Sequence, residues 1–96
     1  MTYDLLFKAE NISYMQLENE LSKQPLLNEI INNGIINDDS YIEHIYKNEK
    51  HQLYSYTVNF NNNKYLFYEK VQIIEYDNGK TKHGNYISCE IYHLLN

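Results

Sequence analysis

The feature that most constrains this chain is the dipeptide Asn78-Gly79, which lies between two stretches of alternating apolar and polar residues. Asparagine and glycine tolerate the positive φ of a type I′ turn, and this turn has the twist that paired antiparallel strands require. A second turn signal, Asn62-Asn63, precedes it in the chain. The region from Gln52 onward is therefore predicted to form three strands of an antiparallel β-meander.

The turn at Asn62-Asn63, which comes earlier in the chain and which we call the first turn, sets the pairing of the first two strands of the meander. A two-residue turn at Asn62-Asn63 would pair Val58 with Phe67 and Tyr54 with Val71. Side chains alternate between the faces of a strand, so these four residues would share one apolar face.

The register set by the later turn, Asn78-Gly79, fits less well with an apolar core. An uninterrupted register from Asn78-Gly79 would place Ile87, Cys89 and Ile91 on the opposite side of the sheet. One extra residue in the segment 82–85 would return all three to the core. A lone glycine inside a strand pattern is typical of a β-bulge, and Gly84 is such a glycine. We therefore predict a bulge at Gly84.

The bulge divides the apolar residues between two faces. The core face is predicted to contain Tyr54, Tyr56, Val58, Phe60, Tyr65, Phe67, Val71, Ile73, Ile87, Cys89 and Ile91. The second face would present Leu66, Tyr68, Ile74, Tyr76, Tyr86 and Tyr92 among Lys70, Gln72, Ser88 and Glu90. Three interpretations of this second face stay open: a cover formed by residues 1–12 or 35–46, a different protein as partner, or a homodimer.

Glu69 does not fit the apolar pattern, because it falls in the middle of the predicted core face. One interpretation is a pleat irregularity or an edge position at which the carboxylate reaches water. The other is a buried carboxylate with a raised pKa, for which the sequence shows no evident partner.

The N-terminal half contains helix signals. Ser13 and Gln16 have capping-box spacing, which predicts a helix over about 14–23. Pro25 suits the first turn of a second helix, and Asn33-Gly34 would end it with a left-handed C-terminal cap. The first ten residues are ambiguous between strand and helix.

Residues 35–50 are ambiguous as well. Ser40 and Glu43 repeat the capping-box spacing, whereas the β-branched and aromatic segment 41–46 favours a strand, which we prefer. The sequence thus predicts a single α+β domain over 1–96, with two short N-terminal helices packed on a three- to four-stranded antiparallel β-meander.

The charge balance bears on the class of partner. The net charge is −5, from thirteen acidic residues and eight lysines, and the chain contains no arginine. Arginine is the preferred side chain for phosphate and guanine contacts, and a nucleic-acid binder needs a basic face. These facts argue against direct nucleic-acid binding and favour a partner that is itself basic.

Location follows from what the sequence lacks. The N-terminal stretch does not read as a signal peptide, no segment approaches the length of a membrane span, and Cys89 is the single cysteine. We expect a cytoplasmic protein, in the host cytosol if it is phage-encoded, with no membrane association.

No motif for catalysis, metal or nucleotide binding occurs in the sequence. Cys89 and His93, four apart on a predicted strand, would stand roughly 13 Å apart, too far to hold one ion together. Cys89 itself lies in an apolar alternation typical of a core residue. We expect no enzymatic activity, no cofactor and no metal.

In size, acidity and the absence of arginine, though in no residue motif, the chain resembles accessory proteins of phages and mobile elements. Many of these are inhibitors, including anti-CRISPR proteins and other anti-defence factors. The resemblance implies a module that blocks a larger nucleic-acid-handling enzyme by occupying its surface. The alternatives are a homodimeric structural or regulatory protein and an immunity protein that neutralises a toxin. The residues predicted to bind the partner are Tyr68, Ile74, Tyr76, Tyr86, Tyr92, Glu69 and Glu90.

Overall fold

A computed structural model describes residues 2–46 and 49–95, and for residues 38–46 and 49 it describes the backbone alone. Two helices lie in this part of the chain, α1 (Tyr14–Ser22) and α2 (Pro25–Asn33). Five strands form one antiparallel sheet in the order β1-β5-β4-β3-β2. Their bounds are β1 Thr2–Ile12, β2 Ile35–Tyr46, β3 Glu49–Phe60, β4 Asn63–Glu75 and β5 Thr81–Leu95.

The α+β class and the antiparallel sheet are confirmed, but two details of the prediction are wrong. The described residues form five strands rather than three or four, and β1 precedes the helices. Tyr3 and Leu5 alternate along β1, and a register shift between Leu5 and Phe7 turns Phe7 toward the core. Pairing with β5 satisfies the backbone groups of β1 along one side. The preferred strand over 41–46 is confirmed as part of β2.

β1 and β2 occupy the two edges of the sheet. An edge strand lies in the plane of the sheet, so neither segment folds across the second face. The interpretation in which residues 1–12 or 35–46 cover that face is therefore wrong.

The first hairpin turns one residue earlier than predicted. Asn61 and Asn62 both have positive φ, 50° and 63°, as the central residues of a type I′ turn require. Val58 therefore pairs with Tyr65 rather than with Phe67. Because the shift changes each partner by two residues, the predicted pairs are wrong while the predicted sharing of a face is confirmed.

The second hairpin closes with a three-residue loop instead of two. Tyr76 N–H donates to the carbonyl oxygen of Lys80 at 2.9 Å, and Gly79, at φ 81°, donates to Tyr76 at 2.9 Å. Two register shifts follow in β5, one across the segment 84–85 and one at Ile87. The predicted bulge at Gly84 is confirmed, and the bulge at Ile87 was not predicted.

Together the two shifts place Cys89 opposite Glu69 and Ile91 opposite Phe67. The core contains Leu17, Leu27 and Ile30 from the helices and Val58, Tyr65, Phe67, Cys89 and Ile91 from the sheet. We call this side of the sheet the helix face and the other side the outer face.

Local signals in the helices have mixed outcomes. The capping box is present, with the Ser13 hydroxyl accepting from the Gln16 N–H at 3.2 Å. Gly34 ends α2, but its backbone is extended at φ −73°, so the predicted left-handed cap is wrong. Glycine is required there for a different reason: a Cβ would lie 2.2 Å from Val58 Cγ1 and 2.5 Å from the Ile30 carbonyl oxygen.

Candidate functional site

The outer face carries a patch of apolar and aromatic side chains on three neighbouring strands. The register places Leu5 of β1, Tyr92 of β5 and Leu66 of β4 in one row across the sheet. Tyr3 and Tyr68 lie two residues from that row, on opposite sides of it, so they face the same way. We call these five residues the outer patch.

The outer patch surrounds a depression of about 250 Å³ that Tyr3, Leu66, Tyr68, Glu90 and Tyr92 line. The rings of Tyr3 and Tyr92 meet edge to face, with centroids 5.0 Å apart. Tyr3 is 60% exposed and Tyr68 42% exposed. Tyrosine rings held in this way on a sheet offer a large, rigid contact area with polar tips, which suits a protein interface.

Glu90 lies between the tyrosines and holds one of them. The Tyr92 hydroxyl donates a hydrogen bond to the Glu90 carboxylate. This hydrogen bond, with smaller contributions from burial and charge, raises the pKa of Tyr92 to about 12. The Tyr92 hydroxyl therefore stays protonated at neutral pH and its orientation is set by Glu90.

Charges of both signs flank the outer patch. Lys8 lies opposite Glu90 in the β1–β5 register and forms an ion pair with Glu10 at 3.2 Å. Lys70 follows Tyr68 on the outer side of β4, and Lys64 precedes Leu66. The described rim of the patch is therefore mixed in charge rather than acidic.

Of the residues predicted to bind a partner, Tyr68, Tyr92 and Glu90 come together in the outer patch or its depression. Ile74 lies farther along β4 on the outer face, and Tyr76 follows the end of β4 in the second hairpin. There the Lys82 ammonium stands 5.9 Å from the centroid of the Tyr76 ring.

Tyr3 and Leu5 were missed as site residues. Their signal was present, because Tyr3, Leu5 and Phe7 alternate as a strand does, but the sequence did not assign that segment to the sheet. Only the pairing of β1 with β5 brings them beside Tyr92.

Tyr86 was predicted on the second face, but the structure places it on the helix face. Its ring stacks on Tyr14 of α1, with centroids 6.2 Å apart, and it packs against the core on the helix face. The unpredicted bulge at Ile87 is the cause, because one extra residue reverses the side on which the preceding residues of β5 point.

Glu69 also lies on the helix face, opposite Tyr54 and Cys89 and on the central strand β4. The interpretation of Glu69 as an edge residue is therefore wrong. Burial raises the pKa of its carboxyl group, and a hydrogen bond from the Tyr56 hydroxyl lowers it only in part. The predicted partner-binding set is thus divided between two faces of the sheet.

Cys89, the single cysteine, is 1% exposed, as its apolar alternation indicates. Burial, with the charges of Glu69 and Glu90, raises the pKa of its thiol to about 12. The thiolate is the reactive form of cysteine, so Cys89 is in its unreactive form at neutral pH.

A broader depression of about 640 Å³ lies at the first turn, where asparagines 59 and 61–63 form much of its wall. His93 and Lys64 are the ionisable side chains that line it. The His93 ring stacks on the Tyr65 ring, with centroids 5.0 Å apart, and its Nε2 lies 3.3 Å from the Asn63 amide oxygen. The imidazole of His93 therefore already packs and hydrogen-bonds within the sheet.

Within the described residues, no group of three or more histidine, cysteine or acidic side chains could hold a metal ion. The two described helices are also too short to cross a membrane. No family model matches the chain, and neither a curated protein nor a solved structure matches it.

Proposed function

We propose that this chain is a protein-binding module whose contact surface is the outer patch. The observation that carries the proposal is the exposed, tyrosine-lined depression on three paired strands. An exposed aromatic and aliphatic cluster of this kind commonly marks an interface.

The outer patch has the physical properties of an interface hot spot. Tyr68 and Tyr92 lose few rotamers on binding, because each ring has two χ angles and strands hold the backbone. Glu90 already orients the hydroxyl of Tyr92, so the entropic cost of ordering that group is met in the free protein.

The net charge of −5 favours a larger partner with a basic surface, because it accelerates the encounter over long range. The size and composition of the chain, which resemble those of anti-CRISPR and other anti-defence proteins, support one specific role: inhibition of a nucleic-acid-handling enzyme. A toxin neutralised by an immunity protein would be bound by the same physical means.

A homodimer is the second candidate, and the mixed rim favours it. Across a two-fold axis, lysines such as Lys8 and Lys70 of one copy could pair with Glu10 and Glu90 of the other. A mass of about twice 11.6 kDa in sedimentation at micromolar concentration would select the homodimer, and a monomer mass would exclude it.

The test is affinity capture with matched baits. Tyr68→Ser removes a ring from the outer patch, whereas Tyr76→Ser removes a similarly exposed ring, 47% against 42%, outside the patch. Loss of a hot-spot residue costs 2 kcal/mol or more, which weakens binding by about 30-fold. A protein that wild type and Tyr76→Ser retain and Tyr68→Ser loses supports the proposal. Equal retention by all three baits would refute the outer patch as the contact surface.

A further inference from the structure

The depression within the outer patch contains one carboxylate among three tyrosine rings. Its lining consists of Tyr3, Leu66, Tyr68, Glu90 and Tyr92. The planes of the Tyr3 and Tyr92 rings are inclined at 81° to each other, so these two rings meet at a corner. At about 250 Å³ the depression is smaller than the cavities of about 300 Å³ or more that hold drug-sized molecules, and it suits a single side chain.

Glu90 brings a negative charge to this depression. Its Oε2 accepts the hydrogen bond from the Tyr92 hydroxyl, whereas no hydrogen bond within the described residues involves its Oε1. No ion pair among the described side chains includes Glu90. Lys8 lies opposite Glu90 in the β1–β5 register, but its ammonium pairs with Glu10 at 3.2 Å. The depression therefore offers a carboxylate oxygen, and its described lining contains no cation.

The tyrosine rings favour a cation at the same place. Aromatic faces attract cations through their quadrupole, and a carboxylate beside them adds an opposite charge. Near the second hairpin, the Lys82 ammonium already stands 5.9 Å from the centroid of the Tyr76 ring. Among the described side chains, no cation stands over the rings of the outer patch in this way. These rings are thus open to a cation from another molecule.

We propose that this depression receives an arginine side chain of the partner, with Glu90 as the counter-ion of its guanidinium group. The proposal rests on the proposed function, because it names the group of the partner that the outer patch binds. Guanidinium suits the depression better than ammonium, since it is planar, less strongly hydrated and stacks on aromatic faces. Its N–H groups can donate to the Glu90 carboxylate while the ring of Tyr3 or Tyr68 packs on its plane.

The composition of the chain gives this inference a consequence for the class of partner. The chain contains no arginine. A second copy therefore cannot supply the guanidinium group, and an arginine site on the outer patch favours a different protein over the homodimer. A basic partner is also the class that the net charge of −5 attracts.

The experiment is a two-dimensional NMR titration of the full chain at constant ionic strength, with three amino acids whose termini are blocked. Arginine is the probe, lysine carries the same charge on an ammonium group, and citrulline has nearly the shape of arginine without its charge. We expect saturable shifts with arginine, largest at the residues that line the depression, and a Kd on the order of 10 mM, since one side chain makes few contacts. Lysine should bind a few fold more weakly and citrulline about fivefold or more. Absence of saturable shifts, or equal affinity for arginine and either of the other two, would overturn the proposal.

Variants make the result specific to the depression. Glu90→Gln keeps the size of the side chain and removes its charge, and should weaken arginine binding about fivefold. Glu29→Gln is the matched control, since it removes an equal charge from an exposed position of α2 and should leave the Kd unchanged. Tyr68→Leu should weaken binding a few fold, whereas Tyr76→Leu should not. Equal affinity of wild type and Glu90→Gln would overturn the proposal.

Affinity capture separates this proposal from the proposed function. A protein that wild type retains and Tyr68→Ser loses should be retained less by Glu90→Gln. Equal retention by wild type and Glu90→Gln would overturn the arginine site and leave the outer patch as the contact surface. Selective arginine binding by the free chain, together with equal capture by all baits, would support the guanidinium site and refute only the outer patch as the surface that holds the captured protein.

Discussion

Replacement of Gly34 by alanine tests how the end of α2 packs against the sheet. The added Cβ would lie 2.2 Å from Val58 Cγ1 and 2.5 Å from the carbonyl oxygen of Ile30. Carbon atoms in contact are normally about 3.5–4.0 Å apart, so the overlap with Val58 is more than 1 Å. Val58 is 4% exposed and Ile30 fully buried, so neither can move into solvent.

Relief of this overlap requires the end of α2 to move away from β3. Overpacking of a core costs about 1–3 kcal/mol, and we expect the upper end because one of the two obstacles is backbone. For a domain of this size, about 3 kcal/mol lowers Tm by roughly 12 °C or more. Thermal unfolding followed by circular dichroism measures this shift.

The other glycines provide controls of graded strength. Gly79→Ala meets no atom within 4 Å but keeps φ at +81°, so only backbone strain of about 1–2 kcal/mol is expected. Gly84→Ala meets the flexible end of Gln72 at 2.8 Å, which can rotate away at smaller cost. A Gly34→Ala variant as stable as wild type, or less affected than Gly84→Ala, would refute the described packing of α2 against Val58.

Three further predictions concern titratable groups. The folded-state pKa of the Glu69 carboxyl group lies above its ordinary value of 4.5, because the group is buried. The folded protein therefore binds the carboxyl proton more tightly than the unfolded chain does. As a result, the contribution of Glu69 to stability falls as the pH rises through 4.5 and above. Denaturant unfolding should therefore show Glu69→Gln gaining stability over wild type at pH 7 and little at pH 4; an equal difference at both values would contradict the raised pKa. Cys89 should react with an aromatic disulfide reagent at pH 8 only as fast as the protein unfolds, and rapid labelling of the folded protein would show that its burial is wrong. Because Glu90 raises the pKa of Tyr92, Glu90→Gln should lower the midpoint of Tyr92 in an ultraviolet titration, whereas an unchanged midpoint would exclude the hydrogen bond between them.

Features that depend on a few adjacent residues were predictable from the sequence. The capping box at Ser13 and Gln16 formed as its spacing indicates, because both partners lie within one helical turn. The glycine at 84 marked a bulge, since an isolated glycine in a strand has few other uses. The Asn78-Gly79 signal identified a hairpin, although not the length of its loop.

The candidate site was predictable only in part. Tyr68, Tyr92 and Glu90 came together as expected because the longer loop and the second bulge offset each other, so this end of β5 has the predicted register. Tyr86 did not, since the bulge at Ile87 has no sequence signature comparable to a lone glycine and reverses its side of the sheet. Tyr3 and Leu5 joined the outer patch through pairing between the two ends of the chain, which local patterns do not reveal.

The sequence by itself determined the α+β class, the turn positions to within a residue, and the alternation that separates two faces. Tertiary structure alone decided that β1 and β2 extend the sheet at its edges, which leaves the outer patch uncovered and joins five strands in one sheet. It also decided that Glu69 lies among tyrosines on the helix face. The physical reason is that side chains alternate between the two faces of a strand with a period of two. Each one-residue register shift therefore moves the side chains beyond it to the opposite face. The register depends on the length of every loop and the position of every bulge, which only the assembled sheet defines.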